Sequence, residues 1–392
     1  KPMKKILGLL LALCLIAGCT SAFAAGIPVE QVKIGYITIG DENEGYSANH
    51  LNGLKEAQAA LGISDDQVLC KYNVPETEDA YEAAIDLAEQ GCNIIFATSF
   101  GHESYVFQAA AEYPNIQFCH ATGNSAMNSE LTNVHNYFYA VYESRYVSGV
   151  VAGMKLAQMI EDGTITAENA KIGYVGAFPF AEVISGFTFF LGARSQCPSV
   201  TMEVRYTNSW GDMALEKETA EALIADGCVL ISQHADTTGA PSACEAAGVP
   251  CVGYNISMLP VAPNTALTSA AGDWGAYVTY AVKCLIDGEE IARDWCKGYA
   301  EGAVYTTELN DSIVAPGTAE KVAELEEAFK AGTVKVFDTS TFTVNGETLT
   351  SYTTAYGLEG IEMVSDGEFH ESSVRSAPYF DILIDGITAV VE

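Results

Sequence analysis

The chain has 392 residues, 49% of them hydrophobic and 18% charged, with 35 Gly and 12 Pro. That is apolar material for more than one core, and it excludes a disordered or collagen-like polymer. Lys and Arg total 19 against 51 Asp and Glu, a formal net charge of −32, so nucleic acid and anionic lipid are not expected partners.

In chain order, Lys4-Lys5 precede an apolar run over residues 6–17, followed by small residues. The run is well short of the ~20 residues that span a bilayer, so residues 1–24 read as a secretory signal peptide. Two exits compete. Ile16-Ala17-Gly18-Cys19 resembles a lipobox, with Cys19 lipidated at the mature N-terminus, whereas Ala22-Phe23-Ala24 fits simple cleavage. The lipobox is placed ahead, which predicts an extracytoplasmic, lipid-anchored protein; a secreted or periplasmic soluble form is the alternative.

From Lys33, short β-rich runs (33–39, 93–98, 116–120) alternate with amphipathic stretches at helical spacing (49–61, 77–90). Strands spaced by helices predict βαβ units and a parallel sheet, and Gly62 and Gly91 fall where helices should stop. The chain then repeats itself. Lys33-Ile34-Gly35-Tyr36 returns as Lys171-Ile172-Gly173-Tyr174, and Glu89-Gln90-Gly91-Cys92 is echoed at nearly the same offset by Ala225-Asp226-Gly227-Cys228. The fold class predicted is α/β, two Rossmann-like parallel-sheet lobes joined by a hinge.

The expected division is 33–140 plus 256–298 for an N-terminal lobe and 141–255 plus 299–345 for a C-terminal lobe. Residues 346–392 form an extension without an assigned role. Val344-Asn345-Gly346-Glu347 reads as a hairpin turn, and 379–391 as a strand or two packed on a lobe. Cysteines beyond Cys19 are odd in number, lack CxxC spacing and mostly sit in apolar runs, so buried free thiols are expected.

Open α/β sheets present ligands at the carboxyl ends of their strands, and two facing lobes make a cleft that closes on a small molecule. The segments after the predicted strands carry Asp41, Tyr46, Ser47, Phe100, Phe178, Glu182, Trp210, Gln233, Asp236, Asn255 and Trp274. Aromatic planes stack on flat rings, while carboxylates and amides read ring N–H and amino groups. With no basic cluster there, the set predicts a neutral planar heterocycle with polar edges, such as a purine. No GxSxG, HExxH, Walker or GxGxxG pattern occurs, and no enzyme activity, metal or cofactor is expected. His234-Ala235-Asp236 reads as a strand-end pair lining a polar cleft rather than as a metal or acid–base site.

Ala97-Thr98-Ser99-Phe100-Gly101, His120-Ala121-Thr122-Gly123, Ala177-Phe178-Pro179, Leu191-Gly192-Ala193-Arg194-Ser195, Asn208-Ser209-Trp210 and Gly253-Tyr254-Asn255 together give a resemblance. The chain resembles the basic membrane protein (BMP) family of substrate-binding lipoproteins, which includes purine nucleoside receptors serving ABC importers. That resemblance implies a type I periplasmic-binding fold with three hinge crossings, a purine held between aromatics, and delivery to an ABC permease. It makes Tyr46 the first stacking ring, with Trp210 and Phe178 candidates for the opposing face. The nucleoside-binding members carry Asp where Asn255 stands and Lys where Gly272 stands, and those residues grip the ribose. A free purine base, adenine before guanine, is therefore favoured over a nucleoside, with Asp236 or Glu182 accepting from the exocyclic amino group. A monomer is expected. The alternative function is an extracellular ligand sensor that presents its closed lobes to a signalling receptor.

Overall fold

The computed structural model describes residues 26–180, 184–354 and 360–390; Cys19, the signal peptide and Glu182 lie outside them. The first lobe is built from β1 (Ile34–Ile37), α1 (Gly45–Leu61), β2 (Val68–Lys71), α2 (Glu78–Glu89), β3 (Ile94–Ala97), α3 (Glu103–Glu112), β4 (Gln117–Ala121) and β5 (Val134–Tyr139). The second begins with α4 (Val141–Glu161), β6 (Lys171–Gly176), α5 (Thr188–Gln196), β7 (Thr201–Tyr206) and α6 (Met213–Ala225). It continues through β8 (Leu230–Gln233), α7 (Gly239–Ala247), β9 (Cys251–Tyr254) and β10 (Ala266–Gly272). The chain then returns for α8 (Trp274–Asp287) and β11 (Asp294–Lys297). It crosses back for β12 (Val304–Thr306), α9 (Thr318–Lys330), the small pair β13 (Val364–Ser365) and β14 (Glu368–Phe369), and β15 (Ile387–Val390).

The first sheet runs β11-β5-β4-β3-β1-β2 and the second β12-β10-β9-β8-β6-β7-β15. The shared order β2-β1-β3-β4-β5 and β7-β6-β8-β9-β10 is the internal repeat expressed in space. Its central strands β1, β3, β8 and β9 are buried at every residue, which requires helices on both faces of each sheet and explains their unbroken apolar sequence. Order reverses at β1/β3 and at β6/β8, so each lobe has its crevice at that switch point.

One boundary needs correction. Residues 256–272 were assigned to the N-terminal lobe, yet β10 lies parallel to β9 in the second sheet. The chain therefore crosses between lobes at Ala140, at Asp273 and over residues 298–303. An apolar run announces a buried strand but not which sheet receives it.

The C-terminal extension joins both lobes. The hairpin turn at Val344–Glu347 forms, with Asn345 and Gly346 both at positive φ. Beyond it β15 adds in parallel to the edge of β7, and Arg194 donates to the carbonyls of Thr341 and Asp385. On the other side the Asp294 carboxylate, at the start of β11, accepts from the backbone and hydroxyl of Ser376. The cysteines from Cys70 to Cys296 are all free, and all but Cys70 and Cys296 are buried.

The hinge helix α4 is fixed by close approach to α5. A Cβ on Gly149 would fall on the Phe189 carbonyl, and one on Gly192 on the Tyr146 carbonyl. Gly149→Ala is expected to lower unfolding stability by ~1–3 kcal/mol, the usual cost of overpacking. Urea denaturation checks this.

Candidate ligand-binding site

The loop from β1 into α1 is shaped by its own polar groups. Glu44 caps the helix, its carboxylate accepting from the backbone N–H of Tyr46 (2.6 Å) and Ser47 (2.8 Å). Ser47 Oγ in turn accepts from Gly40 N–H. This puts Tyr46 in the first turn, where its hydroxyl donates to the Thr98 carbonyl at the end of β3, 2.7 Å away. Behind the ring lie His50, edge-on at 4.6 Å, and Trp274 at 5.9 Å.

In the second lobe, Gln233 Nε2 donates to the carbonyls of Ala235 and Thr237, which folds the segment after β8 into a tight loop. Asp236 N–H donates to the Trp210 carbonyl, and Asp236 Oδ1 accepts from Asn255 Nδ2 at 2.7 Å. Trp210 is flanked by Phe178 at 4.8 Å and Phe180 at 5.7 Å. The lobes meet here. Gly45 N–H donates across the cleft to the Asp236 carbonyl, 3.0 Å away, and Phe100 stacks on Phe180 at 5.5 Å. A Cβ at Gly45 would sit 2.7 Å from that carbonyl oxygen, so glycine permits the approach.

Between these loops is a narrow, nearly closed slot of about 20 Å³. Ile39, Tyr46, Ser99, Phe100 and Thr122 line it from the first lobe; Trp210, His234, Asp236 and Tyr254 line it from the second. Among the described residues neither Lys nor Arg lines it. A second cavity of about 390 Å³ adjoins through Phe100 and Thr122, and its far wall is Arg375, Ala377, Pro378 and Asp381 of the extension.

The structure thus brings Tyr46, Phe100, Trp210 and Asp236 together. Phe178 stands one layer back, against Trp210. Four expected contacts are structural instead. Asp41 accepts from Asn43 in its own loop and from Asn73 just past β2, which lowers its carboxyl pKa. Ser47 and Gln233 are absorbed in the cap and loop described above. Trp274 is 1% exposed, stacked on His50 at 4.0 Å behind Tyr46. Asn255 is fully buried and reaches the slot only through Asp236. The strand-end residues singled out from the sequence do not include Ser99, Thr122 or Tyr254, which also line the slot. Nor do they include Arg145, the one arginine of α4, which sits between Ser144 and Tyr146.

A model of the PnrA-like ABC transporter substrate-binding proteins matches residues 38–336. The chain belongs to that family. A purine-binding protein of Brucella abortus is 33% identical over 311 residues, 79% of this chain and 83% of its own. A putative ABC transporter glucose-binding protein of Haloferax volcanii is 29% identical, covering 85% of this chain and 81% of its own. An ABC transporter solute-binding protein of Aeropyrum pernix shares the fold, with TM-score 0.65, 19% identity, and 78% and 93% of the two chains covered. The two lobes are the type I periplasmic solute-binding architecture, and the protein is an extracytoplasmic solute-binding component of an ABC importer. Among the described residues no helix is long and apolar enough to cross a membrane.

One carboxyl under the slot carries a pH signature. Glu216 is fully buried and accepts from Thr237 N–H with both oxygens; burial, with the Glu44 charge adding to it, pushes its pKa up to about 7 from 4.5. A raised acid favours the folded state while protonated, so its contribution is lost as pH rises from about 4.5 through about 7. Glu216→Gln should therefore gain on the wild type in urea midpoint from pH 4.5 to pH 8. An unchanged difference would refute this.

Proposed function

We propose that this importer component captures a free purine base, adenine before guanine, and hands it to its permease as the closed form. The observation that carries the reading is that Tyr46 and Trp210, from opposite lobes, line one narrow slot together with the Asp236 carboxylate. Flat faces suit a π-system, and a carboxylate suits an exocyclic amino group. Among the described residues the lining carries no Lys or Arg, which disfavours a phosphate or carboxylate ligand. The Brucella relative, named for purine binding, supports the same class.

Base is favoured over nucleoside because the ribose grip of the nucleoside receptors is not reproduced. Asn255 spends its amide N–H on Asp236, and a Cβ at Gly272 would fall on the Tyr139 ring. A nucleoside would have to lodge its sugar in the adjoining cavity, past Phe100 and Thr122. Competition titration tests this: adenosine binding tighter than adenine would refute the base reading and leave the purine importer standing.

Tyr46→Ala and Trp210→Ala are each expected to weaken adenine binding by ~1–3 kcal/mol, the range for one base–aromatic contact. Calorimetry with full affinity retained in both would sink the stacking assignment.

The reading also includes a monomer without turnover of its ligand, anchored by a lipid on Cys19. Cys19→Ala should move the protein out of the membrane fraction or leave it unprocessed. Unchanged fractionation with an N-terminus at Ala25 would assign cleavage to Ala22-Phe23-Ala24 instead.

A further inference from the structure

Arg145 lies at the start of α4, just past the first crossing, and is completely buried. Among the described residues it forms no ion pair with a carboxylate. Its guanidinium sits 3.8 Å from the centre of the Tyr254 ring, Nη1 donates to the Gln233 carbonyl at 2.7 Å, and Nη2 is 3.2 Å from His234 Nδ1. Arginine carries donors and no acceptor, so His234 Nδ1 has to accept, and a neutral imidazole then holds its proton on Nε2. The ring is neutral: burial, reinforced by the Arg145 charge, holds its pKa well below 6.5. Among the described residues Nε2 has no hydrogen-bond partner, and His234 lines the slot two residues before Asp236. The Asp236 carboxylate, held on one oxygen by Asn255, lines the same slot. The slot therefore offers an N–H donor beside an acceptor.

We propose that His234, locked by Arg145 as the Nε2–H tautomer, donates to an unprotonated ring nitrogen of the ligand and selects which edge of the base enters. His234 is the specificity-determining residue and Arg145 its positioning residue. The inference rests on the purine reading above and adds the contact that orients the base. Purines present an acceptor nitrogen next to a donor on the adenine edges, N1 or N7 beside the 6-amino group, which complements His234 beside Asp236. A ligand with C–H at that ring position would leave the imidazole N–H buried without a partner.

Two measurements on the full chain test it. Nitrogen-15 NMR of the histidines in ligand-free protein at pH 7 should report Nε2–H for His234; an Nδ1–H tautomer or an imidazolium overturns the proposal. Titration with adenine and with 1-, 3- and 7-deazaadenine should show one analogue bound at least about ten-fold weaker, the others within about three-fold, as expected for one lost buried hydrogen bond. In His234→Leu that selective loss should vanish. In Arg145→Met it should shrink, with His234 shifting toward a mixture of tautomers. If Arg145→Met fails to fold, the wild-type spectrum and the deaza series decide alone. All analogues binding like adenine would overturn the proposal while leaving the purine reading intact. If adenine and every analogue fail to bind, the purine reading falls, and this contact with it.

Discussion

The site depends on an aromatic wedge at the second crossing between lobes. Trp274 follows Asp273 directly, and its indole is stacked on His50 and edged by Tyr46, Tyr137 and Phe138, with Tyr139 tilted against it at 4.3 Å. Interiors pack as densely as organic crystals, so a ring with that many neighbours has one place to be. His50 is further tied to the Tyr36 hydroxyl at 2.9 Å. The consequence reaches the ligand slot. Tyr46 is held from behind by Trp274 and His50 and from above by the Thr98 carbonyl, so its ring borders the slot as a pre-set plane whose ordering is already done on folding.

The second lobe solves the same problem with polar rather than aromatic contacts. Gln233, Glu216 and Asn255 each spend their hydrogen bonds on the loop containing His234 and Asp236, and none of them faces the slot. Arg145 completes this set from the hinge helix. Because α4 begins at the first crossing, the group that fixes the His234 tautomer is placed by the hinge itself. Across the cleft the lobes make specific contacts: the Gly45 N–H on the Asp236 carbonyl and the Phe100–Phe180 stack. The C-terminal extension then walls the outer cavity and touches both lobes, through β15 on one and Ser376 on Asp294 on the other. It extends beyond the residues that the family model matches.

Much of the fold was legible because its signals are local. Alternation of β-rich and helical periods, glycine at helix ends and the returning Lys-Ile-Gly-Tyr string give two α/β lobes without any long-range information. The misassignment of 256–272 shows the limit. Ala266–Gly272 reads as a buried strand in either lobe, and only its pairing with Cys251–Tyr254 decides between them. Site residues divide in the same way. Tyr46, Phe100, Trp210 and Asp236 line the slot because they stand at strand ends beside the switch points. Asp41, Ser47, Gln233 and Trp274 share that position but not the slot.

By itself, then, the sequence determined the two lobes and the segments that border the slot, since each follows from period or repeat along the chain. Tertiary structure decided which side chains in those segments turn inward. Within one loop a hydroxyl or amide can cap backbone groups or face a ligand, and the choice is made by whichever partner is within about 3 Å after folding. For Arg145 the decision is wholly tertiary. Its partners, His234 and Tyr254, stand some ninety to a hundred and ten residues away in sequence, and a lone arginine on a helix carries no local mark of a buried imidazole waiting for a donor.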